Sequence, residues 1–145
     1  KTAEMTAKYQ VACCLMHNRN EAVYDDFLED MVKDMEECVA IARAAGVPDD
    51  KIMLDPGVGF GKTYEMNLEA INHVDILHRL GFPILLGTSR KSVIGNTLNL
   101  PADQRVEGTL ATTVIGVMKG CSFVRVHDVK ENKRIIQMTK AILAH

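Results

Sequence analysis

No apolar run in these 145 residues approaches the ~20 needed to span a bilayer, and the start carries no basic-then-apolar signal pattern. The cytoplasm is therefore the expected location. An excess of one charge sign is lacking too: 17 Lys and Arg against 19 Asp and Glu leave a formal net charge of -2. That balance gives no field for nucleic acid or an anionic membrane, so neither is an expected partner and any anion site must be local. Cys13, Cys14, Cys38 and Cys121 form no C-x-x-C pair and have no His at ligand spacing, which favours buried, reduced thiols over a metal cage or disulfides. No Ser/His/Asp or Cys/His arrangement announces a covalent nucleophile. Linkers, low-complexity tracts and close repeats are also missing, and the chain is long enough to bury a core as one domain.

What is present is a recurrence. Four apolar runs each end abruptly in polar residues: VACCLM in Met16-His17, KIML in Asp55, PILLGT in Ser89-Arg90-Lys91, and SFVRV in His127-Asp128. Short Val/Ile/Leu-rich runs with helix-length periodic segments between them predict repeated βα units and a parallel sheet. Helices are expected over about 22–45, with Val23, Phe27, Met31, Met35, Cys38 and Ala42 on one face, and over about 65–80, 103–119 and 130–143. Gly46-Val47-Pro48 and Gly81-Phe82-Pro83 end the first two with one grammar, a glycine cap followed by a proline that forbids continuation. In such folds the carboxyl ends of the strands carry the chemistry. The fold class is thus α/β, with four parallel βα units forming the second half of a (β/α)8 barrel. The missing initiator Met and the helix-tail character of Lys1 to Lys8 fit a position inside a longer polypeptide.

Asp55-Pro56-Gly57-Val58-Gly59-Phe60-Gly61-Lys62-Thr63 is the richest segment. It is not a P-loop, because the position five before Gly61 is Pro56, and its alternating glycines fail the dinucleotide fingerprint. Such a loop does let backbone come close to a flat or charged ligand. Asp55 either accepts paired N–H bonds from a heterocycle or starts an Asx-type turn, and spacing weighs the two equally. In the last strand, period two turns Phe123, Arg125 and His127 toward the barrel axis and Val124 and Val126 toward the helices. An inward arginine needs an anion beside it, which makes Arg125 and His127 candidate phosphate ligands; an Asp–Arg ion pair across the barrel is the alternative. Ser89-Arg90-Lys91-Ser92, near a helix start, is a candidate anion or carbonyl-oxygen site, or else a solvated charge cluster. Met16 is the expected apolar contact for a flat ligand; His17, Asn18 and Arg19 share its strand end, and His73, His78 and His145 read as surface or tail residues.

LDPGVGFGK, GTSRKS and RVHDV, in that order and spacing, together with LMHNR and RVEGTLATT, closely resemble the carboxyl-terminal half of the bacterial dihydropteroate synthase family. The likeness covers essentially the whole chain. It implies a TIM-barrel transferase of folate biosynthesis, a sulfonamide target, that condenses 6-hydroxymethyl-7,8-dihydropterin diphosphate with 4-aminobenzoate and releases diphosphate. By that likeness Asp55 and Lys91 hold the pterin, Met16 and Phe60 line its pocket, and Lys62 and Gly87 shape it. Arg125 stacks on the pterin and, with His127, holds diphosphate, while Ser89, Lys91 and Phe60 border the aminobenzoate. Lys91, Arg125 and His127 are the residues it implies for catalysis. It also implies Mg2+ as cofactor, liganded from an amino-terminal half outside this chain, and a homodimer. The rival readings are a pterin-binding methyltransferase module and a non-catalytic half-barrel that pairs with itself.

Overall fold

A computed structural model describes residues 1–145. In chain order the elements are α1 (Thr2–Tyr9), β1 (Cys13–Met16), α2 (Phe27–Ala44), β2 (Ile52–Asp55), α3 (Tyr64–Asn72), β3 (Leu85–Leu86), α4 (Ser92–Leu98), α5 (Val106–Met118), β4 (Phe123–Val124) and α6 (Val129–Leu143). β1 pairs in parallel with β2, from Cys13 opposite Ile52 to Met16 opposite Asp55. β3 pairs in parallel with β4, and a parallel bridge between Leu54 and Ile84 joins the two pairs. The strand order is therefore the chain order, and every strand points the same way. No helix is long and apolar enough to cross a membrane.

The core lies between the strands and the helices. Met31, Met35, Leu54, Val58, Val74, Leu77 and Ile84 are all fully buried. α2 reaches it with Phe27, Met31, Met35, Val39 and Ala42, a spacing that keeps one helical face on the sheet. Truncating Met31 or Met35 to Ala is expected to cost about 2–5 kcal/mol, because the cavity cannot fully collapse.

Several boundaries differ from the sequence expectation. α2 begins at Phe27, not near residue 22, because the Asp26 side chain accepts the Glu29 N–H at 3.4 Å and caps the helix there. Val23 consequently lies outside the helix and is exposed. The segment expected as one helix to residue 80 changes at His73 into a 3-10 stretch, Val74–Leu80, whose three-residue repeat buries Val74 and Leu77 on one side. α4 stands as a separate helix before α5, which starts at Val106 after a short 3-10 turn over Ala102–Gln104. All four cysteines are free, but none is fully buried and Cys14 is exposed. Cys14 and Met16 alternate with Cys13 and Leu15 and are the more exposed residues of β1.

Candidate active site

The carboxyl ends of the four strands converge as the sequence predicts. Asp55, the last residue of β2, is 1% exposed and has two tasks. Its Oδ1 accepts the Gly57 N–H at 2.8 Å, which is the turn-starter geometry. Its Oδ2 lies 3.4 Å from Arg125 Nη2, the cross-sheet ion pair. A carboxylate offers about four lone-pair sites, so the two contacts leave acceptor capacity for a ligand. Arg125 keeps its guanidinium over half exposed, lying across Gly87, where a Cβ would come within 2.6 Å of Nη2. Gly87 thus makes the floor on which Arg125 rests.

His127 and Ser89 form one unit. The Ser89 hydroxyl accepts the His127 backbone N–H at 3.0 Å and stands 2.7 Å from Nδ1 of the same residue. Arg90 reinforces the link with a 3.0 Å contact to Asp128. Its own backbone sits at φ 59, a left-handed conformation unusual for a side chain of this size. Thr109 Oγ1 accepts the Arg90 N–H, and Arg105 donates to the Arg90 carbonyl at 2.8 Å, so α5 and its leading turn hold this strained residue. Lys91 follows, its ammonium donating to the Val58 carbonyl and standing 5.1 Å above the Phe60 ring. Burial, followed by the charge of Arg125, holds its pKa below the ordinary lysine value against the opposing pull of Asp55.

Gly87, Ser89, Lys91, Arg125, Val126 and His127 line a cavity of about 190 Å³. It has room for a small anionic group. A more spacious hollow, about 700 Å³, runs between β4 and α6 and is mainly apolar. The chemistry is at the smaller one. Met16 and Phe60 are both partly exposed, Phe60 beneath the Lys91 ammonium and Met16 beside Gly57.

The glycine loop carries a network that the sequence did not reveal. His17, 1% exposed, places Nε2 2.8 Å from Asp34 Oδ2 and Nδ1 2.8 Å from Lys62 Nζ. Lys62 also donates to the carbonyls of Gly57 at 3.0 Å and Phe60 at 2.9 Å. Burial, then the Lys91 charge, holds Lys62 down to about 8 against the raising effect of Asp55. Burial and the Lys62 ammonium likewise depress the His17 pKa, against the raising effect of Asp34. Asp34 also grips Arg19, Oδ2 to Nε at 2.7 Å and Oδ1 to Nη2 at 3.0 Å. These contacts hold Asp34 below the usual carboxylate range although burial alone would raise it. The available signal was Asp34 on the apolar face of α2, between Met31 and Met35. Gly57 and Gly61 sit at φ 67 and 58 and press against the backbones of His17 and Arg19, leaving no space for a Cβ at either position.

No group of three or more His, Cys, Asp or Glu side chains stands together as metal ligands. The family model described as "Pterin binding enzyme" matches residues 1–127, a span that ends on His127 and contains every residue lining the basic cavity. The dihydropteroate synthase of Clostridium beijerinckii is 60% identical over 97% of this chain and 53% of that protein. Among solved structures, dihydropteroate synthase from Clostridium difficile, in the presence of pteroic acid, superposes with a TM-score of 0.94 at 48% identity, covering 97% of this chain and 54% of that one. That of Xanthomonas albilineans, with 4-aminobenzoic acid, gives 0.94 at 32%, covering 99% and 53%. The chain spans about half the length of the curated relatives it matches. Strand ends, glycine loop and basic cavity all fall within the matched span, and the chain belongs to the pterin-binding enzyme family.

Proposed function

We propose that this chain is the carboxyl-terminal half of a dihydropteroate synthase, its four βα units completing an eight-stranded barrel with an amino-terminal half. The observation that carries the reading is the basic cavity of about 190 Å³ between Ser89, Lys91, Arg125 and His127, with the buried Asp55 carboxylate beside it. Such a pairing suits a substrate with an anionic leaving group at one end and an amino-pyrimidine edge at the other. Asp55 accepts from that edge, Phe60 and Met16 flank the flat ring, and Lys91 fixes the loop over it. Lys62 and Gly87 shape the floor.

In the proposed reaction the bond between the pterin methylene carbon and diphosphate oxygen breaks, and its electron pair leaves with diphosphate. The 4-aminobenzoate nitrogen then supplies the pair for the new C–N bond and loses a proton. Arg125 and His127 stabilise the departing charge electrostatically, and Ser89 and Lys91 border the incoming amine. No enzyme nucleophile is needed. The ligands for a magnesium ion lie outside these residues in this reading, and no step above runs through the ion. A cytoplasmic homodimer, with neither nucleic acid nor membrane as partner, belongs to the same proposal; light scattering on the full-length protein tests the dimer.

Arg125→Ala, in the full-length protein, is expected to weaken diphosphate and pterin diphosphate together. Losing a charge-assisted contact should cost about 2 kcal/mol, or roughly 30-fold in Kd. Calorimetric titration with diphosphate reads it, and an unchanged affinity would remove Arg125 from the site.

A further inference from the structure

We propose that Asp34, His17 and Lys62 form a positioning chain that locks the Gly57–Gly61 loop, so that a carboxylate on α2 sets the shape of the ligand site on β2. The role assigned to the loop rests on the pterin reading above; the positioning itself does not.

The argument is one of hydrogen-bond capacity. An ammonium has three donors and no acceptor. Lys62 spends all three, on His17 Nδ1 and on the carbonyls of Gly57 and Phe60. Since Lys62 can only donate, His17 Nδ1 must accept, and the neutral ring carries its hydrogen on Nε2, where Asp34 Oδ2 receives it. Asp34 thereby fixes the ring's orientation, the ring fixes the ammonium, and the ammonium fixes two loop carbonyls. The loop needs such a fastening. Gly57, Gly59 and Gly61 all have positive φ, and glycine loses more backbone freedom on ordering than any other residue. Two further bonds finish the loop: Gly59 N–H to Asn67 Oδ1 at 2.7 Å and Tyr24 O–H to the Gly61 carbonyl at 2.7 Å. Neither Asp34 nor His17 lines the basic cavity, which leaves them as positioning residues and not contacts to an anion there.

Two histidine replacements divide the chain at its middle. His17→Asn keeps an acceptor near Nδ1 but loses the reach to Asp34. His17→Gln keeps that reach but loses the acceptor for Lys62. Amide exchange followed by NMR in the full-length protein, with Lys62→Met alongside, is expected to show Gly57, Gly59 and Phe60 exchanging at least tenfold faster in His17→Gln and Lys62→Met. His17→Asn should be intermediate, and the Leu54 amide, bonded to Pro83 within the sheet, should stay unchanged. In the same variants the Kd for pteroate should rise about tenfold and that for diphosphate stay within twofold. Loop exchange equal to wild type, or Leu54 loosening as much as the loop, would overturn the positioning chain. Faster loop exchange in a protein whose wild type fails to bind pteroate would sustain the chain and sink the pterin reading instead.

Discussion

Replacing Asp55 by Asn separates the two tasks that the structure gives this carboxylate. The amide keeps an oxygen to accept the Gly57 N–H, now bonded at 2.8 Å, so the turn survives. Its NH2 group takes the place of Oδ2 and meets the Arg125 guanidinium, donor against donor. That contact is already long at 3.4 Å, and the arginine is 58% exposed, so its loss should cost the fold about 1 kcal/mol or less. The melting temperature would then fall by about 3 °C. A pterin edge presenting two donors fares worse: it loses charge-assisted bonds and faces a donor where an acceptor stood. That should amount to about 3 kcal/mol, a Kd increase of roughly 150-fold. Scanning calorimetry and a pteroate titration on the same full-length sample measure both. A melting temperature lowered by more than about 10 °C with normal pteroate affinity in the folded fraction would refute the reasoning and leave Asp55 as a turn residue only.

Gly87→Ala should push the Arg125 guanidinium off its floor, since the added Cβ would stand 2.6 Å from Nη2; diphosphate affinity should drop severalfold in calorimetry with little change in melting temperature. Lys62, held at about 8 against an ordinary 10.5, binds fewer protons folded than unfolded between those values, so its contribution to stability rises with pH across that window and is lost as pH falls through 8. Urea unfolding of wild type and Lys62→Met should therefore show a difference that is flat below pH 7 and shifts toward wild type from about pH 8 to 10.5; a constant difference would contradict it. The 145-residue chain alone should self-associate or aggregate, because β1 and β4 each pair on one side only; a monomer by light scattering that forms dihydropteroate would refute the half-barrel reading.

The strands were legible because each apolar run stops at a polar residue, and Asp55, Ser89 and His127 stand where those stops predict. The alternation through and just beyond β4 was legible for the same reason: Phe123, Arg125 and His127 are exposed, and Val124 and Val126 half-buried. Helix ends were less so. Periodicity ran on to Val23, but one side-chain cap at Asp26 decides where α2 starts. The network around Lys62 was hidden because its members are far apart in the chain, His17 and Lys62 standing 45 positions from each other. His17, which shares its strand end with Met16, is the hub. Such a network depends on which face of α2 meets the end of β1, and no local pattern carries that information. The turn and ligand readings of Asp55 were posed as rivals, yet one carboxylate has enough lone pairs for both.

The single hydroxyl of Ser89 has a further effect on its neighbour. It accepts the His127 N–H, and its hydrogen has no acceptor in the chain other than His127 Nδ1. With that hydrogen given to Nδ1, the His127 ring carries its own on Nε2, which takes no partner within the chain. Ser89 therefore decides which ring nitrogen is free to donate, and a ligand that offers an acceptor beside Nε2 gains a contact whose polarity a serine distant in sequence has set.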